Sequence, residues 1–172
     1  MMKNAVPIAI WFMFFPLTAS LAAQSSSRFE DYGVSVYAGP IHQPKWIRHI
    51  SGDEWRDNLG KLVDPPEVNF AGKYFVAVHS CGTGCRYYTM TDLSSGRGLE
   101  LLKDFGAAEP PPKTRDGYPY LTDLITRSHS KLLVAQYHVE LREGEECRER
   151  AFVFDGEKIT PVNNTRRTCT QY

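Results

Sequence analysis

The residues in this chain best equipped for chemistry are four cysteines and a histidine close to two of them. Cys81-Gly82-Thr83-Gly84-Cys85 follows His79 by two positions, and Tyr87 lies two positions beyond Cys85. Three chemistries compete for this cluster. A thiol oxidoreductase places C-x-x-C at the start of a helix, where the helix lowers the thiol pKa. Here three residues separate the cysteines and strand-forming residues flank them. A zinc site built on His79, Cys81 and Cys85 would need a further donor pair of the C-x-x-C or H-x-x-x-H kind, and the sequence offers none beside it. A disulfide needs only two facing positions, and an antiparallel hairpin supplies them. The disulfide is the reading we favour, with Gly82, Thr83 and Gly84 as its rigid tip. Closing so short a loop is worth only ~2 kcal/mol in the chain-entropy account, so its main effect is on shape. Cys147 and Cys169 are left to pair by elimination, although four cysteines allow three connectivities.

Other catalytic signatures are missing. The chain has no G-x-S-x-G, no H-E-x-x-H, no P-loop and no dinucleotide fingerprint. His79, His129 and His138 read as surface or half-buried histidines. Glu140, Glu143, Glu145 and Glu146 cluster with Arg142, Arg148 and Arg150, the pattern of a solvated turn or an electrostatic docking edge.

The disulfide reading depends on compartment. Residues 1–23 read as a secretory signal peptide, with Lys3, an apolar run across residues 5–17, and small residues at 19–23. The apolar run is shorter than the ~20 residues of a membrane span, and Pro16 interrupts it. Cleavage removes one lysine and no acid, so 20 Lys+Arg against 20 Asp+Glu becomes 19 against 20. That balance argues against nucleic acid as a partner, which would call for a basic excess. No membrane insertion is expected after cleavage. Hydrophobic content of 42% excludes a disordered chain. All four cysteines stay with the mature chain, in an oxidising setting.

The elements that must hold these residues read as mainly β. Residues 32–41 alternate weakly as a first strand ended by Gly39-Pro40. Residues 51–62 read as a short helix, with Ser51 as N-cap, Glu54 completing a capping box, and Trp55, Leu59 and Leu62 on one face. Residues 74–78 and 87–90 form the two arms of the hairpin. Counting from a Gly82-Thr83-Gly84 loop sets Cys81 opposite Cys85, His79 opposite Tyr87, Ala77 opposite Thr89, Val78 opposite Tyr88 and Val76 opposite Met90. The face of Tyr74, Val76, Val78, Tyr88 and Met90 should meet the core, leaving Phe75, Ala77, His79, Tyr87 and Thr89 partly exposed. Residues 99–102 make a third strand, and a long proline-rich loop spans 103–120. Strands at 121–126, 131–141, 150–154 and 159–162 follow. Residues 163–172 are a polar tail. The expected fold is an antiparallel meander of short hairpins with one short N-terminal helix, braced by disulfides, in a single domain over residues 24–162.

Asn69-Phe70-Ala71-Gly72-Lys73-Tyr74 opens the hairpin. Gly72 suits a left-handed turn or a close backbone approach, and Asn69 suits bonding to nearby backbone. Together with the C-G-x-G-C loop, this box resembles a family of uncharacterised secreted bacterial proteins. Its members share N-F-A-G-[HK]-Y, C-G-x-G-C, a later D-S-[RK]-L-L-V strand, and a cysteine followed by an aromatic strand and an acidic turn. Here the later strand reads His129-Ser130-Lys131-Leu132-Leu133-Val134, without the acidic residue. The ending matches at Cys147 and at Phe152-Val153-Phe154-Asp155-Gly156. The resemblance covers about residues 67–162 and implies a bacterial periplasmic setting, with no established activity.

These features together indicate a secreted periplasmic, non-catalytic binding protein, an inhibitor or immunity-type partner of another protein or a binder of a cell-envelope ligand, requiring no cofactor and no metal. Its candidate contacts are Gly82, Thr83, Gly84, His79 and Tyr87. The alternative is a metal-binding or thiol-dependent enzyme centred on His79, Cys81 and Cys85.

Overall fold

The computed structural model describes residues 27–106 and 110–172; the expected signal peptide lies outside them. Among the described residues ten strands form three antiparallel sheets. β1 (Ile47–Ser51), β2 (Glu54–Asp57) and β3 (Leu62–Val63) make the first. β4 (Tyr74–Gly82), β5 (Cys85–Asp92) and β6 (Arg97–Leu99) make the second. β7 (Tyr120–Ile125), β8 (Leu132–Glu140), β9 (Glu145–Phe154) and β10 (Ile159–Pro161) make the third, a meander in the order β10-β9-β8-β7.

The expected helix over 51–62 does not form. Those residues run through the end of β1, all of β2 and the start of β3, with Trp55 paired to His49 on one side and Val63 on the other. The supposed apolar stripe is split: Trp55 packs inward, while Leu59 and Leu62 are exposed. Gly52 and Gly60, both at positive φ, turn the chain on either side of β2, which a helix could not accommodate. The expected strand at 32–41 is also absent. After a 3-10 turn at Phe29–Tyr32 the chain is irregular, with a single bridge from Gly33 to Ser130 and a hydrogen bond from Tyr37 N to Gly72 O at 2.6 Å.

The central hairpin follows the counted register from Val76↔Met90 to His79↔Tyr87. Beyond Ser80 it slips by one: Gly82, not Cys81, pairs with Cys85. Cys81 therefore sits in a bulge and the loop shrinks to Thr83-Gly84. One hairpin face carries Tyr74, Val76, Tyr88 and Met90 against Leu133, Ala135, Phe152 and Phe154 of the third sheet. The other face is not half-exposed. Phe75, Ala77 and His79 are 0%, 1% and 1% exposed, covered by Trp46, Ile47, Trp55 and Val63 of the first-sheet region. Val78, expected in the core, is 43% exposed, although its cross-strand partner Tyr88 is buried against the third sheet.

Two joints hold these layers. Asn69 bonds both backbone groups of Val76, donating from Nδ2 to Val76 O at 2.8 Å and accepting from Val76 N at 2.7 Å. Its amide thus stands in for a neighbouring strand. Gly72, at φ +82°, lies so close to Ser35 that a Cβ there would come within 2.5 Å of its carbonyl oxygen. Phe70 and Tyr74 of the same box pack on Phe154. On the far side of the third sheet, a disulfide joins Cys147 of β9 to Cys169 of the tail, with Cα atoms 5.7 Å apart. Beside it the buried Glu149 carboxylate accepts from Gln136 Nε2, Thr170 N, Arg166 and Tyr172. The tail is therefore part of the fold.

Asn69→Ala leaves the N–H and C=O of Val76 without their partner. At ~1–3 kcal/mol for an orphaned buried group, the variant should lose about 2–3 kcal/mol in urea unfolding, with an unchanged m-value.

Candidate functional site

The first and second sheets are also joined by a polar contact. His79 of β4 and Asp57 of β2 are both almost fully buried. His79 Nδ1 meets Asp57 Oδ2 at 2.8 Å, and His79 Nε2 meets Thr89 Oγ1 at 3.0 Å. Thr89 lies diagonal to His79 across the β4–β5 ladder, on the same face. The other carboxylate oxygen, Asp57 Oδ1, accepts from the backbone N–H groups of Leu59 and Lys61, each at 2.9 Å. The imidazole is stacked on Tyr87 at 4.5 Å between ring centroids and meets the Trp46 ring edge-on at 4.7 Å.

Burial pushes the Asp57 carboxyl up, but the His79 hydrogen bond and the Lys61 and Leu59 amides overcome it and hold the pKa below its ordinary value. Burial pushes the His79 imidazole below its ordinary value, against the opposing pull of the Asp57 hydrogen bond and charge. The pair is thus a carboxylate and a neutral imidazole. An ionised carboxylate only accepts, so the proton sits on Nδ1. Nε2 must then accept, and the Thr89 hydroxyl donates to it. The sequence carboxylate–imidazole–hydroxyl is that of a nucleophilic relay. Here it ends on a secondary alcohol inside a strand, and what it fixes is the direction of each hydrogen bond.

Around this joint lie the cysteines. Cys81 and Cys85 are bonded to each other, with Cα atoms 5.1 Å apart. Both ring nitrogens of His79 are occupied, so His79, Cys81 and Cys85 do not present three free donors. Among the described residues no group of three or more His, Cys, Asp or Glu is arranged to hold a metal ion. The tip residues Gly82, Thr83 and Gly84 are exposed, and a Cβ on either glycine would meet open space. His79 does not share that surface, being buried below it. Tyr87 is half-buried, one ring face on His79, and lines a cleft of about 570 Å³ with Trp46, Thr89, Met90, Leu99 and Leu102. Two further concavities flank the tip. One is lined by Leu62, Val78, Gly82, Gly84 and Leu121. The other is lined by Gly84, Pro111, Pro119, Tyr120 and His138. His138 is half-exposed between Asp123 and Glu145, 2.9 Å from each. Arg148, within the acidic–basic cluster, ties Asp116 of the long loop to β9 at 2.9 Å.

Asp57, Thr89 and Trp46 were not marked by the sequence. Thr89 could have been found by counting one ladder step diagonally from His79. Asp57 and Trp46 carry no local signal. Comparison with known proteins adds no relative: no family model, no curated protein and no solved structure matches the chain.

The acid dependence of stability has a definite sign. Both groups have folded pKa values below their unfolded ones, so each stabilises above its unfolded pKa, and that contribution is lost as pH falls. For His79 the loss begins near its unfolded value of about 6.5. Unfolding free energy should decline as pH drops below about 6.5, and a further loss follows once Asp57 takes up a proton. His79→Gln should be less stable at neutral pH and should flatten the first decline, as read from urea midpoints across the pH series.

Proposed function

We propose that this chain is an extracytoplasmic, non-catalytic binding protein that engages another protein through the disulfide-braced tip at Gly82-Thr83-Gly84. The observation that carries this reading is the form of the tip. It is an exposed two-residue turn, closed at its base by Cys81–Cys85, with a concavity on either flank. A loop already held in one shape loses less entropy on binding. Apolar side chains stand in the open next to it, Leu62 at 65% and Val78 at 43% exposure, and exposed apolar groups gathered at one place favour a protein partner. A projecting rigid tip is complementary to a partner's cleft, as an inhibitor or immunity-type protein requires.

The compartment follows from the signal-peptide reading of residues 1–23. The two disulfides are compatible with an oxidising, extracytoplasmic location, and no helix of the described residues is long and apolar enough to cross a membrane. Balanced charge disfavours nucleic acid as the partner. The thiol-enzyme alternative is weakened by the bonded sulfurs.

A photo-reactive residue at position 83 should cross-link one discrete protein in the native cell envelope. Cys81→Ser with Cys85→Ser should lower the yield several-fold, and Val78→Asp should do the same. Absence of an adduct, or a yield indifferent to both changes, would place the contact elsewhere.

A further inference from the structure

We propose that the cleft beside β5 is a binding site for a small, flat, uncharged molecule that carries one N–H or O–H donor, with Thr89 Oγ1 as its acceptor. The cleft reaches the base of the tip at Cys81 and Cys85, but its ligand chemistry does not depend on a protein contact there.

The cleft exists because β5 is paired unevenly. β4 covers one edge of β5 along nearly its full length, whereas β6 pairs only with Met90, Thr91 and Asp92. Residues 85–89 therefore have no strand on their outer edge. The opening, about 570 Å³, is within the ~300–1,000 Å³ range of small-molecule sites. Its walls are mainly apolar and aromatic: Trp46, Tyr87, Met90, Leu99 and Leu102. Tyr87 is held flat by stacking on His79, and Trp46 is fixed by stacking on Phe75 and by its edge contact with His79. Rigid rings of this kind favour a planar ligand.

Charge and hydrogen-bond polarity narrow the class further. The cations at the cleft are already matched, Arg86 by Asp123 and Lys103 by Glu100, so no free charge calls for an ion. The decisive group is Thr89. A hydroxyl has one proton and two lone pairs. The Asp57–His79 relay claims that proton, because His79 Nε2 can only accept. Thr89 Oγ1 is left with lone pairs alone, on a half-buried wall of an apolar cleft. A ligand that fills the cleft without a donor leaves that oxygen unpaired, whereas a ligand with one donor satisfies it. The buried pair thus sets the sign of the polar contact that the cleft offers.

Indole, a flat apolar body with a single N–H, is a direct probe, and 1-methylindole is its donor-less counterpart. Calorimetric titration of the oxidised full chain should show one saturable indole site, with 1-methylindole about 3- to 10-fold weaker, as loss of one net hydrogen bond implies. Thr89→Val should bring indole down to the level of 1-methylindole, and Thr89→Ser should keep the preference. The proposal is overturned if the unaltered protein shows no saturable indole binding, or if it binds the two probes equally. It is likewise overturned if a folded Thr89→Val retains the preference. The two-probe comparison needs no variant, so it decides the question even if Thr89→Val fails to fold.

Discussion

The β4–β5 hairpin is covered on both faces along most of its length, and the rest of the molecule answers to that constraint. A strand buried on both sides cannot send its polar groups to water. Each must find a partner inside, at a cost of ~1–3 kcal/mol if it fails. The partners are specific. Asn69 satisfies both backbone groups of Val76. Tyr88 donates its hydroxyl to Thr122 O at 2.6 Å in the third sheet. His79 is satisfied at both nitrogens by Asp57 and Thr89. The bonds to Asn69, Thr122 and Asp57 reach three separate segments outside the hairpin, so satisfying the hairpin also positions what surrounds it.

The same constraint separates scaffold from surface. Below His79 the hairpin is core, apart from the exposed Val78. Above it, beyond the bulge at Cys81, the strands leave both covering layers and the disulfide takes over as the brace. The third sheet is managed in a parallel way. Its outer side is closed by the tail, through Cys147–Cys169 and the Glu149 carboxylate. Burial pushes that carboxyl up, but bonds from Thr170, Gln136 and Arg166 together hold its pKa low. In both places a disulfide is accompanied by a buried anion with several donors, so neither relies on the disulfide alone.

Much of the fold was legible where local pattern and final burial agree. The meander at residues 120–161 shows it: alternation, turn glycines and β-branched residues all point one way, and the strands formed within a residue or two of expectation except at β9. That strand began at Glu145, earlier than its apolar pattern allowed, because Cys147 and Glu149 find partners in the tail. Residues 51–62 show the opposite. Trp55, Leu59 and Leu62 have helical spacing, and Ser51 and Glu54 look like a cap, yet the segment forms strands. Burying Trp55 against the Phe75 face outweighs a helical preference worth only a few tenths of a kcal/mol per residue.

The sequence by itself determined the β class, the hairpin around the C-G-x-G-C loop, its register as far as Ser80, and the placing of two cysteines where they can close a tip. These are local properties, set by residue type and by spacing within a few positions. Only the tertiary structure decided that His79 is buried, that Asp57 is its partner across 22 residues, and that Thr89 meets the cleft with its oxygen and not its proton. Those outcomes depend on which layer covers the second face of a sheet, and alternation along one strand holds no information about what will be packed on it.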